Sequence, residues 1–231
     1  MTPPNFKLNL NTVKQSIIDF EEQYQREKGE VCLIAVSKTR SCEEIRELAS
    51  YGQIHFGENY LQEAVDKIAN ITDKTLIWHF IGPIQKNKTR LIAENFSWVH
   101  SVDREIIATR LNDQRLDSMS PLNVCIQVNI DQENTKSGVE PDQLLDLAAT
   151  IKRLPNLTFK GLMTIPSPQE TFEAQCQSFK KITELFNLLK KHNYDVDTLS
   201  MGMSNDYEAA IACGSTMVRI GTALFGPRHY T

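Results

Sequence analysis

The chain has 231 residues, 41% of them apolar and 23% charged, with a formal net charge of −4. That length buries a sizeable core, the composition is that of an ordinary globular chain with no excess that favours disorder, and the acidic balance argues weakly against nucleic acid, whose binding leans on a dense positive field. No run approaches the ~18 apolar residues of a membrane span and MTPPNFKLNL lacks an apolar leader core, so the expectation is a soluble, cytoplasmic protein with no membrane partner.

In chain order, Leu10, Val13, Ile17, Phe20 and Tyr24 fall near helical spacing and predict an amphipathic opening helix. Short apolar runs then alternate with longer helical stretches, the runs spanning 31–37, 53–57, 75–81, 97–102, 123–130, 158–165, 198–203 and 216–220. Ser41-Cys42-Glu43-Glu44 has the spacing of a capping box, and its helix should stop near Gly52. Lys86 to Arg90 reads as a basic, solvated helix start, Pro141 stands where another helix begins, and Asn205-Asp206-Tyr207-Glu208 opens one that reaches Gly214. The five cysteines form no C-x-x-C pair and are expected as reduced thiols, Cys32 and Cys125 filling strands.

Eight strands alternating with helices imply parallel pairing through right-handed crossovers, and eight strands close into an α/β (β/α)8 TIM barrel, here with an extra N-terminal helix. An open doubly wound sheet is the structural alternative. No linker divides the chain, so residues 1–231 are expected to form one domain.

Barrel active sites lie at the C-terminal strand ends, where this sequence places Lys38, Gly57-Glu58-Asn59, His79, Gly82, His100-Ser101, Asn129, Met163-Thr164, Met201-Gly202-Met203-Ser204 and Arg219-Ile220-Gly221-Thr222. The last two runs enter Gly/Ser/Thr turns at helix starts, which suit an anion; ordinary caps would explain either turn alone. Strand alternation puts Ile34, Val36 and Lys38 on the barrel interior. There desolvation and Arg219 would lower the lysine pKa and yield an amine that attacks an aldehyde, the alternative being a side chain that snorkels to solvent. His79 and His100 complete no metal-ligand pattern, the loop ending at Gly138 would close on the barrel mouth, and Arg40 reads as a surface charge.

Taken together, AVSKT (35–39), FGENYLQEA (56–64), WHFIGPIQKNK (78–88), VHSVD (99–103), QVNIDQENTKSGV (127–139), GLMTI (161–165), LSMGMSNDYEAAI (199–211) and VRIGTALFG (218–226) resemble the pyridoxal 5′-phosphate (PLP) homeostasis family over nearly the whole chain. The family's fold resembles the N-terminal barrel domain of alanine racemase. The resemblance implies PLP carried as a Schiff base on Lys38, its phosphate held by Ser204, Gly221 and Thr222. Arg219 would face the pyridine nitrogen, Asn59, His79 and the Met201 region would line the ring, and Lys136 would bind PLP secondarily near the entrance. It further implies vitamin B6 and amino-acid/keto-acid homeostasis with little or no turnover, PLP-dependent apo-enzymes as recipients, and a monomer, since the second domain that supplies the racemases' tyrosine base is not expected after the eighth strand. A PLP-dependent racemase or lyase using His79 as second base, and an aldolase-like barrel whose lysine binds a sugar phosphate, are the competing activities.

Overall fold

A computed structural model describes residues 5–131 and 137–227; Lys136 and Arg228 lie outside them. Eight strands form a closed parallel barrel in sequence order: β1 (Cys32–Val36), β2 (His55–Glu58), β3 (Ile77–Phe80), β4 (Trp98–Val102), β5 (Leu122–Gln127), β6 (Leu157–Met163), β7 (Thr198–Ser200) and β8 (Met217–Ile220). Pairing of β1 with β8, Ile34 beside Arg219, closes the ring and excludes the open sheet. The strands read as continuous apolar runs because helices cover their outer faces while side chains fill the interior.

The helices are α1 (Phe6–Gln23), α2 (Cys42–Ser50), α3 (Leu61–Asn70), α4 (Thr89–Asn95), α5 (Glu105–Gln114), α6 (Leu144–Lys152), α7 (Phe172–Lys191), α8 (Tyr207–Ala212) and α9 (Thr222–Phe225). The capping box at α2 is complete: Glu44 N–H donates to Ser41 Oγ at 3.2 Å and Ser41 N–H to the Glu44 carboxylate at 2.7 Å. Pro141 begins a single 3-10 turn that leads into α6, and Lys86 and Arg90 are exposed.

The last helix of the ring is four residues long, and α1 fills the gap it leaves. Leu10, Val13 and Ile17 are buried, the Phe6 and Phe225 rings meet edge to face at 5.8 Å, and the Asn9 amide donates to Leu224 O at 2.9 Å.

Two strands stop three residues before their apolar runs end. β7 stops at Ser200 because Gly202, at φ +95°, turns the chain away from the ladder; a Cβ there would lie 2.6 Å from the Ala210 methyl. β5 stops at Gln127, so Asn129 lies in the following loop, which Val128 bridges back to Val139. All five cysteines are free thiols; Cys125 is fully buried and Cys32 half-buried. Among the described residues no helix is long and apolar enough to cross a membrane.

Candidate functional site

Lys38, Asn59, Ser204, Arg219, Gly221 and Thr222 line one cavity of about 620 Å3 beyond the C-terminal strand ends. Lys38 leaves β1 half-buried, and Val36 shares the cavity wall, as alternation along the strand requires.

The backbone on both sides of Lys38 is fixed from behind the barrel wall. Ser37 N–H donates to Gly57 O at 2.9 Å, and Ser37 Oγ donates to Glu58 at 2.6 Å. The buried ammonium of Lys67 donates to Ser37 O at 2.6 Å, to Glu58 at 2.8 Å and to Glu63 at 2.5 Å. Glu63 also accepts from Thr39 N–H at 2.6 Å, which holds Thr39 at φ +64°, a left-handed conformation that costs a β-branched residue on the order of 1–3 kcal/mol. Burial pushes the Glu58 carboxyl upward while Lys67 and Ser37 pull it down, and its Oε2 has no partner among the described residues.

The opposite wall has donors to spare. Ser204 and Asn205 N–H groups donate to no acceptor among the described residues, and those of Thr222 and Ala223, in the first turn of α9, have no intrahelical acceptor. The Asp206 carboxylate closes the 203–206 turn by accepting from Met203 N–H at 2.5 Å; burial raises its pKa, opposed by that bond and by Arg219. Arg219 is 4% exposed, its Nη1 donating to Ser200 Oγ at 2.7 Å and its Nη2 to Thr164 O at 2.9 Å. Burial lowers its pKa to about 10, so it remains a cation at neutral pH.

Asn59 presents a buried Oδ1 with no partner among the described residues, and its backbone abuts Gly82 so closely that a Cβ at 82 would lie 2.2 Å from Asn59 O. That contact fixes the β2 loop against the β3 loop and requires glycine at 82.

Three expectations are corrected. His79 is fully buried inside the barrel and is not in the cavity wall; it bonds to His55 and His100, since an imidazole inside the barrel needs polar partners. Met201 is fully buried in the apolar core, and Met203, beyond the Gly202 turn, takes its place in the wall. Arg40 is no free surface charge: its guanidinium donates to Gly226 O at 2.5 Å, pairs with Glu44 at 3.4 Å and lies 5.4 Å from the Phe225 ring centroid.

Sequence reasoning passed over Ser200, Glu63 and Lys67. Ser200 offered the signal of a polar residue inside a strand, whereas Lys67 looked like an ordinary exposed helix lysine.

Fold and site together define a barrel of the alanine racemase type: the family "Alanine racemase, N-terminal domain" matches residues 17–229. The pyridoxal phosphate homeostasis protein of Haemophilus influenzae is 49% identical to the chain, the match covering 98% of each. That of Pseudomonas aeruginosa is 52% identical over 96% of this chain and 95% of the relative. The structure of PipY from Synechococcus elongatus with PLP bound superimposes with a TM-score of 0.80 at 34% identity, covering 91% of this chain and all of PipY. The chain belongs to the pyridoxal phosphate homeostasis protein family.

Proposed function

We propose that the cavity holds PLP on Lys38 and that the protein stores and releases this cofactor inside the cell, sustaining vitamin B6 and amino-acid/keto-acid balance with little or no turnover. One observation carries the reading: a strand-end amine, a buried guanidinium and two loops with unspent N–H donors share one cavity. The wall fits the group, because the orphaned Asn59 Oδ1 needs a donor such as a ring hydroxyl and the 204–205 and 222–223 amides need an anion. PLP supplies an aldehyde that condenses with a primary amine, releasing water, and a phosphate dianion.

Lys38 supplies that amine from a backbone clamped on both flanks. Ser204, Thr222 and the N–H groups around Gly221 bind the phosphate. Arg219 donates to the ring nitrogen and, being donor-only, keeps a proton off it, which weakens the ring as an electron sink.

Rapid racemisation also needs a second acid/base. Among the described residues the titratable side chains of the wall are Lys38, Arg40, Asp206 and Arg219, so His79 is withdrawn from that role. Of these four, Asp206 is the carboxylic acid a racemase or lyase would draw on, and it already accepts from Met203 N–H. PLP-dependent apo-enzymes are the proposed recipients, and the working form is a monomer.

The test is purified protein loaded with PLP. A visible absorption band that borohydride abolishes, with the reduced adduct on Lys38 and none in Lys38→Ala, is expected. So is the absence of rapid Cα–H exchange of L- or D-amino acids in deuterated water. Exchange at enzymatic rates, lost in Lys38→Ala, overturns the storage reading.

A further inference from the structure

The barrel interior beneath the cavity contains an unbroken line of polar side chains. From Arg219, Ser200 Oγ is reached at 2.7 Å, His100 Nδ1 lies 2.8 Å further on, His79 Nδ1 is 2.9 Å from His100 Nε2, and His55 Nδ1 is 2.9 Å from His79 Nε2. Ser200, His100 and His79 are fully buried. His55, the first residue of β2, is half-buried at the opposite end of the barrel, on a cleft of about 260 Å3 that Lys14 and Glu21 of α1 and Cys32 of β1 also line.

We propose that Ser200, His100, His79 and His55 form a one-way hydrogen-bond chain that positions Arg219, with every bond direction dictated by the donor-only guanidinium and all three imidazoles held as neutral Nε2–H tautomers. The inference rests on the reading of Arg219 as the cation facing the cofactor ring.

The direction follows by elimination. A guanidinium has no acceptor, so Ser200 Oγ accepts from Arg219. Its own hydrogen must then go to His100 Nδ1, because the reverse would strand a buried hydroxyl proton without an acceptor, at a cost of about 1–3 kcal/mol. With Nδ1 accepting, neutral His100 carries its hydrogen on Nε2 and donates to His79 Nδ1; the same step repeats from His79 to His55. Neutrality agrees with the surroundings. Burial and the Arg219 charge lower His100 to about 3, burial and its two histidine neighbours hold His79 well below the usual range, and burial lowers His55.

Because each member has one donor and one acceptor facing its neighbours, the chain has a single satisfied arrangement. Arg219 is thereby fixed from below through Nη1, as Thr164 O fixes it through Nη2, where it lines the cavity.

The test reads tautomers directly, with histidine nitrogens isotopically labelled and long-range proton–nitrogen correlations recorded at neutral pH with and without PLP. Nε2–H neutral tautomers at His55, His79 and His100 are expected in both states; an Nδ1–H tautomer or an imidazolium at His79 or His100 overturns the proposal. Ser200→Ala should release the His100 tautomer and weaken PLP binding about tenfold with a shifted visible band, and Ser200→Thr should restore both. Unchanged tautomer, affinity and band in Ser200→Ala also overturn it.

Should that variant fail to fold, His100→Gln, which accepts and donates in the same sense, is expected to keep PLP affinity within about threefold of wild type while His100→Leu loses about tenfold. Equal losses in the two refute the chain. If wild-type protein takes up no PLP, the cofactor reading falls, while the tautomers still decide the chain.

Discussion

The two walls of the cavity are built on opposite principles. Around Lys38, on the β1–β2 side, the backbone groups of Ser37 and Thr39 are held by a buried cluster of Glu58, Glu63 and Lys67. On the β7–β8 side, amides at Ser204, Asn205, Thr222 and Ala223 stay uncommitted among the described residues. A covalent attachment point needs a stiff backbone, since a misplaced amine loses the geometry of attack. An anion needs donors that the protein has not already used.

Breaking the rigid wall should have the largest effect. Glu58→Ala leaves the Lys67 ammonium buried at 5% exposure with Glu63 as its remaining carboxylate, and is expected to cost about 3–5 kcal/mol in chemical denaturation. Glu58→Met combined with Lys67→Met should recover most of that stability, because it removes both buried charges together.

The floor beneath both walls supplies the next test. His55, His79 and His100 have lowered pKa values when folded and about 6.5 when unfolded, so between those limits the unfolded chain binds more protons and stability falls as pH drops below ~6.5. Glu58 and Asp206, shifted upward, act in the opposite sense, so net uptake on unfolding should be below three protons. Calorimetric melting between about pH 7 and 5 should show a declining Tm; a flat or rising profile would mean that the imidazoles do not outweigh Glu58 and Asp206.

On the open wall, Ser204→Ala with Thr222→Ala removes two hydroxyl donors, each worth about 1 kcal/mol. Equilibrium titration should show roughly tenfold to thirtyfold weaker PLP binding, with pyridoxal, which has no phosphate, bound as before. The smallest change sharpens the contrast from the rigid side. Thr39→Gly removes the left-handed strain and should stabilise by no more than about 1 kcal/mol, because the unfolded chain gains entropy in parallel.

The eight strands were legible because buried parallel strands are near-continuous apolar runs, such as Leu33 to Val36. The open wall was legible too, since Ser204, Gly221 and Thr222 follow strand ends in short turns. The rigid wall was not. Lys67 sits nine residues from Glu58, on a helix whose sequence allows it to face water as well as the barrel, and nothing local decides between them. The histidine chain was half-visible: His79 and His100 stood out at strand ends, but their bonds to each other and to Ser200 depend on barrel registers that no single segment encodes. Arg40 was misread because its partners, Gly226 and Phe225, lie at the far end of the sequence.

The docking of α1 against α9 sets a timetable for biosynthesis. Asn9 and Leu224 are 215 residues apart, which at about 5–20 residues per second of translation is a wait of roughly ten to forty seconds. During that interval Phe6, Leu10, Val13 and Ile17 have made an apolar face whose partners in α8 and α9 do not yet exist. Though synthesised before every strand of the barrel, α1 is thus among the last elements to be seated, and the turn at Gly221 and Thr222 settles only when α1 and α9 meet.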